Sequence, residues 1–177
     1  MLDKIKKLRT ATGLGINDCK NALVEADGDM DKAVSILRKR GVDVLNKRMD
    51  EAAAQGVIES YIHFSRNVGS LVEVNCQTDF VAKTDDFLKF AKDIAMHIAA
   101  ALPLYIDESG IPEDILADLG NKKQEFIKSK CLLNQPFIKD SSKTVNDYLT
   151  DIIGKTGEKV VIRRFVRFSL GENEGKI

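Results

Sequence analysis

The chain has 177 residues, 44% apolar and 31% charged, with 27 Lys and Arg against 27 Asp and Glu. That profile fits one sizeable globular domain with a small companion, and zero formal net charge removes the bulk field that would favour nucleic acid or an anionic membrane. Cys19, Cys76 and Cys131 are widely spaced and form no CxxC or His-Cys cluster, so reduced thiols are expected, with no metal and no cofactor. The start, "MLDKIKKLRTATG", lacks an apolar signal core and no run reaches transmembrane length. A cytoplasmic protein is the expectation.

Residues 1–41 read as three short helices. Asp3 can cap the first, "TGLG" stops it, and Asn17 or Asp18 starts the second, with Cys19, Ala22, Leu23 and Ala26 at helical spacing. "DGD" breaks the chain again, and a third helix turns Ala33, Val34 and Leu37 inward and ends at Gly41. So small a core is expected to lean on a neighbour. Residues 42–55 read as a helical linker. From residue 56 to 177 the pattern changes. "GVIESYIHF" and "SLVEVNCQ" alternate around the glycine-bearing turn "RNVG", a hairpin signature. Thr84 opens an apolar helix with Asp85 and Asp86 in its first turn, ending at Leu102 before Pro103. Pro112 opens a polar helix to about Lys130, "LLNQPFIKD" is extended, and Thr144 caps a helix through about Thr156. "EKVVIRRFVRFSL" is a long closing strand, and "GENEGKI" is read as a frayed tail. The sum is an α+β chain: a three-helix bundle, then a three-stranded antiparallel sheet packed with helices.

The motifs point away from covalent chemistry. "GKTGEK" lacks the spacing of a phosphate loop and precedes a strand. In "RRFVRF" alternation sends Arg164 and Phe165 to opposite faces. His63 and His97 read as satisfied structural histidines. A nucleophilic Cys76 or Cys131 would need a base and an oxyanion site that the sequence does not supply. The unusual stretch is "CQTDFVAKTDDF", where Asp79 stands beside Phe80 between a strand and a helix. Residue types alone favour Phe80 in the core behind a Thr78 or Asp79 cap. The alternative is a projecting aromatic anchor beside a carboxylate, made to enter a partner's pocket.

Four blocks carry a resemblance: "LRTATGLGINDCKNALVEADGDMDKA", "EVNCQTDFVAKTDDF", "CLLNQPFIKDSSKTV" and "GEKVVIRRFVRFSLGE". Together they resemble the elongation factor Ts family across almost the whole chain, in the same order. The resemblance implies that the amino-terminal bundle is similar to ubiquitin-associated domains. It further implies a nucleotide exchange factor, with no covalent catalysis, acting on elongation factor Tu. Phe80 would wedge into an apolar pocket of the partner, with Asp79 beside the elements that hold Mg²⁺ and with Thr78 and Val81 in the same motif. Arg9, Ile16 and Asn17 match the docking face of the bundle, although core packing is an equal reading of Ile16. His63, Thr156 and Gly157 match contact positions in longer members, whose core is duplicated.

The chain departs from that long pattern. It has one core copy, and "IPEDILADLGNKKQEFIKSK" is too short for the protruding helical hairpin of longer members. Two chains are therefore expected to pair, so that a homodimer reassembles what long forms hold in one chain. The rival expectation is an adaptor related to ubiquitin-associated modules, with no exchange activity. Asp79 and Phe80 together discriminate the two.

Overall fold

The computed structural model describes residues 1–12, 14–47 and 52–172. In chain order, α1 (Leu2–Thr12) carries Asp3 in its first turn, where the helix dipole favours it. The second helix, α2 (Ile16–Glu25), begins one residue before Asn17, with Gly15 as its N-cap. Its inward stripe is the expected one: Cys19, Ala22 and Leu23 are fully buried and Ala26 nearly so. Asp29 opens α3 (Met30–Lys47), its Oδ1 accepting hydrogen bonds from Asp31 N and Lys32 N, both at 3.0 Å. These backbone donors hold its carboxyl below the ordinary range. Gly41 does not end this helix. A glycine inside a helix costs only about 1 kcal/mol, and the structure runs on to Lys47. Residues 48–51 of the expected linker and the tail 173–177 lie outside the described residues.

The sheet follows. β1 (Gln55–Ile62) and β2 (Val68–Cys76) form the expected hairpin. Gly56 is the one residue type that fits its position: it has φ 150°, and a Cβ there would lie 2.1 Å from Val74 O. After the one-turn α4 (Asp79–Ala82) comes α5 (Asp85–Ala101), capped by Thr84, whose Oγ1 accepts from Phe87 N. The polar helix expected from Pro112 is broken into α6 (Glu113–Leu119) and α7 (Lys123–Lys130), because Gly120 takes a left-handed φ of 47° and starts a 3₁₀ turn. Ile111, Ile127 and Cys131 form a small separate core there. Within the segment expected to be extended, Leu132–Asn134 is a 3₁₀ turn, and β3 (Pro136–Phe137) pairs with β4 (Asp140–Thr144). Thr144 caps α8 (Val145–Thr156) with a reciprocal capping box to Asp147. The last strand, β5 (Val161–Ser169), pairs antiparallel with β2, giving the order β1-β2-β5.

The main core lies on one face of this sheet. Val72, Val74, Cys76 and Ile162 meet Phe87, Phe90, Ile94 and Ile98 of α5, with Leu149, Ile152 and Ile153 of α8. Each fully buried side chain of this kind contributes about 1.5–3 kcal/mol. The bundle has its own core of Leu8, Cys19, Ala22, Leu23, Ala33 and Leu37. As its size requires, it leans on the larger unit. α3 packs on α8, and Arg38 Nε lies 3.2 Å from Asp151, which Lys143 also approaches at 3.4 Å.

His97 is the satisfied core histidine the sequence suggests. Its Nδ1 accepts from Ile138 N at 3.2 Å, so Nε2 carries the proton and donates to Gln135 Oε1 at 2.9 Å. Gln135 in turn donates to Ala101 O and Ser129 O. Burial holds the imidazole below its ordinary value of 6.5. In that window the unfolded chain binds a proton that the native state does not. Stability is therefore expected to be unaffected by His97 above pH ~6.5 and to fall as pH drops below it, by at most about 1.4 kcal/mol per pH unit. Urea unfolding between about pH 7 and pH 5.5 checks this. An equal slope in His97→Gln would assign the effect to another group.

Candidate functional site

The site grows from the end of β2. Thr78 is extended, at φ −120° and ψ 152°, and caps α4, its Oγ1 accepting from Val81 N at 3.3 Å. The same hydroxyl donates to Glu158 Oε1 at 2.7 Å. Glu158 Oε2 accepts from Gln77 N at 3.2 Å and Thr78 N at 3.0 Å. Lys159 N donates back to Gln77 Oε1 at 3.2 Å. On the far side of the turn, Thr84 Oγ1 donates to Val81 O at 2.8 Å. The loop is thus fixed at both ends by side-chain caps and beneath by a carboxylate.

This bracing decides where Phe80 goes. Ala82 is buried and Val81 packs against the main core. In a single helical turn the two residues before them must then face outward. Phe80 is 80% exposed, which overturns the core reading favoured by residue type. Asp79, also exposed, pairs with Lys83 at 2.7 Å. That hydrogen bond holds its carboxyl below the ordinary range, so Asp79 is ionised at neutral pH. An exposed pair of this kind is worth little by itself and leaves Asp79 free to change partners. Cys76 lies just behind, its Sγ donating to Thr78 O at 3.1 Å. Burial first, and then Glu158, push its thiol up to about 11. Burial raises the Cys131 thiol as well. Neither is a ready thiolate nucleophile.

Thr156 and Gly157 belong to the same end of the molecule. Gly157 ends α8 in the left-handed region at φ 66°, with its N donating to Ile153 O. That turn delivers Glu158 beneath the loop, and Lys155 reaches Asp86 at 3.2 Å. Glu158 is the site residue the sequence reading missed. The only signal for it is the glycine stop after α8, which shows a sharp turn but not its target.

His63 is at the opposite end. It follows β1 at the hairpin turn, accepting or donating a hydrogen bond with Tyr61 OH at 3.1 Å and packing its ring against exposed Phe64 at 4.3 Å. The nine residues of β2 place roughly 27 Å of strand between that turn and the Asp79–Phe80 loop. One chain does not bring them together. Arg9, Ile16 and Asn17 are exposed on the bundle. Ile16, 55% exposed, is not a core residue because α2 turns Cys19 and Leu23 inward instead.

The sheet face away from the core is apolar and uncovered. Ile62 and Phe168 flank Gly69, and Leu71 pairs with Val166. Ile58, Ile62, Leu71, Val166 and Phe168 are all exposed. Beyond them Glu73 binds Arg164 at 2.7 Å, while Phe165 turns to the core, as alternation requires. Among the described residues no group of His, Cys, Asp and Glu could hold a metal ion, and no helix is long and apolar enough to cross a membrane.

These features define an α+β protein that displays a braced acid–aromatic loop and carries a helical bundle on α8. The sequence matches the family model described as Elongation factor TS over residues 16–123 and 119–172. It is 45% identical to elongation factor Ts of Carboxydothermus hydrogenoformans, an alignment covering 97% of this chain and 89% of the relative. It is 42% identical to that of Moorella thermoacetica, covering 95% and 94%, and 46% identical to that of Desulforamulus reducens, covering 95% and 88%. The chain belongs to the elongation factor Ts family, and with it to the factors of translation elongation.

Proposed function

We propose that the chain is a guanine-nucleotide exchange factor that binds elongation factor Tu carrying GDP and promotes release of the nucleotide. The observation that carries this reading is Phe80, an 80% exposed aromatic on a loop braced by Thr78, Thr84 and Glu158. A large apolar side chain held in water has no stabilising role in its own chain, but it suits a partner's pocket. Phe80 enters that pocket, and ionised Asp79 accompanies it beside the elements holding the partner's Mg²⁺, with Thr78 and Val81 setting the turn. A diphosphate whose cation is displaced loses much of its stabilisation. Displacing the partner's phosphate loop removes further backbone donors from the β-phosphate. A thousandfold faster release requires only about 4 kcal/mol off the barrier. By reciprocity, GDP weakens this protein's hold on the partner as much as this protein weakens the hold on GDP. No covalent step is involved. The test is release of a fluorescent GDP from elongation factor Tu with and without the protein; an unchanged rate would leave the adaptor reading.

The bundle, residues 1–41, is the docking module in this scheme, through Arg9, Ile16 and Asn17, while Thr156 and Gly157, like His63, are contact positions of the core. Ile16→Asp changes an exposed side chain, so it is expected to leave the melting temperature unaltered. Partner affinity should fall about tenfold, ~1.4 kcal/mol. Calorimetric titration reads this directly, and an unchanged affinity would remove Ile16 from the docking face.

The assembly proposed is a homodimer joined through the outer sheet face. His63 and the loop stand at opposite ends of β2 in one chain, whereas a two-fold pairing would set one chain's loop and the other's His63 on the same partner molecule. Exposed Ile58, Ile62, Leu71, Val166 and Phe168 favour the face of the sheet over its edges as the seam.

A further inference from the structure

Glu158 has a place in the site that the exposed loop alone does not explain. Its carboxylate takes three donors from two consecutive residues: Gln77 N, Thr78 N and Thr78 Oγ1, at 3.2, 3.0 and 2.7 Å. Because Thr78 Oγ1 spends its proton on Glu158, its lone pairs remain for Val81 N, the bond that closes the turn under Phe80. A carboxylate is the side chain suited to this point, since it presents acceptors only. A glutamine of the same shape keeps a single acceptor oxygen: turned to the two backbone N–H groups, it leaves its NH2 to compete with Val81 N for the lone pairs of Thr78 Oγ1, and turned the other way it sets donors against donors.

The origin of Glu158 matters as much as its contacts. It leaves α8 through the left-handed Gly157. α8 is also the helix on which α3 of the bundle rests, through Arg38 and Asp151. The loop and the bundle are therefore both referenced to one helix. We infer that Glu158 is a positioning residue for exchange: it fixes the direction of Phe80 relative to the bundle, so that a partner held by the bundle meets the wedge at the correct angle. This rests on the exchange function proposed above.

The consequence is a split between binding and release. Glu158→Gln in the full chain is expected to lower the maximal GDP-release rate about tenfold while changing the half-saturating concentration less than about twofold, because the bundle still docks. In the free protein the amides of Gln77 and Thr78 should lose hydrogen-exchange protection, with α5 amides unchanged. A merely structural role would instead lower protection everywhere and move the melting temperature. Thr78→Val removes the hydroxyl bond from the other side, leaves Glu158 in place and serves if Glu158→Gln does not fold; loss of protection at Val81 together with slow release is the expected result. A wild-type maximal rate in whichever variant folds, unchanged protection at residues 77 and 78 in Glu158→Gln, or unchanged protection at Val81 in Thr78→Val, would overturn the positioning role. The two proposals fail separately. If Phe80→Ala releases GDP at wild-type speed, the wedge fails. If Phe80→Ala is slow and Glu158→Gln is fast, only the role of Glu158 fails.

Discussion

Phe80→Ala is expected to melt with the wild-type protein and to slow GDP release by about 30-fold to several hundred-fold. The first half follows from exposure: an 80% exposed ring contributes almost no buried area to its own fold, and substitutions at such sites stay within about 0.5 kcal/mol. The second half follows from the anchor role, since removing a central interface aromatic costs about 2–4 kcal/mol, and each 1.4 kcal/mol is about tenfold. The bracing bonds of the loop involve backbone and the side chains of Thr78, Thr84 and Glu158, so alanine leaves them in place. Stopped-flow release of fluorescent GDP, beside a thermal melt, checks both halves. A stable variant that exchanges at wild-type speed would refute the wedge. A variant that unfolds would return Phe80 to the fold.

Much of this arrangement is legible in the residues, and the reasons differ from element to element. Thr84 and Thr144 precede acidic first turns and apolar stripes, so the local chemistry of a cap already marks α5 and α8. β1 and β2 are legible as strands because Val57 and Tyr61, and Val72, Val74 and Cys76, recur at even spacing on the face that meets the core. Gly41 misleads because glycine only weakens a helix, and whether it ends one is set by its tertiary surroundings; Gly120, with its positive φ, is the real break. Phe80 misleads for another reason. Residue type assigns a phenylalanine to the core, but Val81 and Ala82 occupy the inward side of that short turn. Glu158 lies 80 residues from Thr78 in sequence. No local pattern announces such a bond, since it depends on where the turn at Gly157 delivers Glu158 in the folded chain.

The second large effect is expected at the outer sheet face. The free protein is expected to scatter light with twice the 19.6 kDa mass of one chain. Phe168→Asp, at a position 63% exposed on β5, is expected to halve that mass without unfolding the chain. A stable seam needs at least ~1,000 Å² buried in total, and five apolar side chains on the face of a three-stranded sheet are the described surface best suited to supply it. A carboxylate at Phe168 would be buried beside Ile62 and its two-fold mate, unpaired, at a cost of several kcal/mol. Activity should fall with the mass. The monomer keeps its loop and its bundle but presents a partner with Asp79 and Phe80 and no His63, because roughly 27 Å of β2 separates them. The His63 contribution is then isolated by mixing: one chain carrying His63→Ala and one carrying Phe80→Ala, combined as a heterodimer, retain one complete composite site of the two, so about half the wild-type exchange returns. A wild-type protein of single-chain mass with full activity would reject both the dimer and the divided site. A monomer that pairs only when elongation factor Tu is added would keep the divided site and reject the preformed seam.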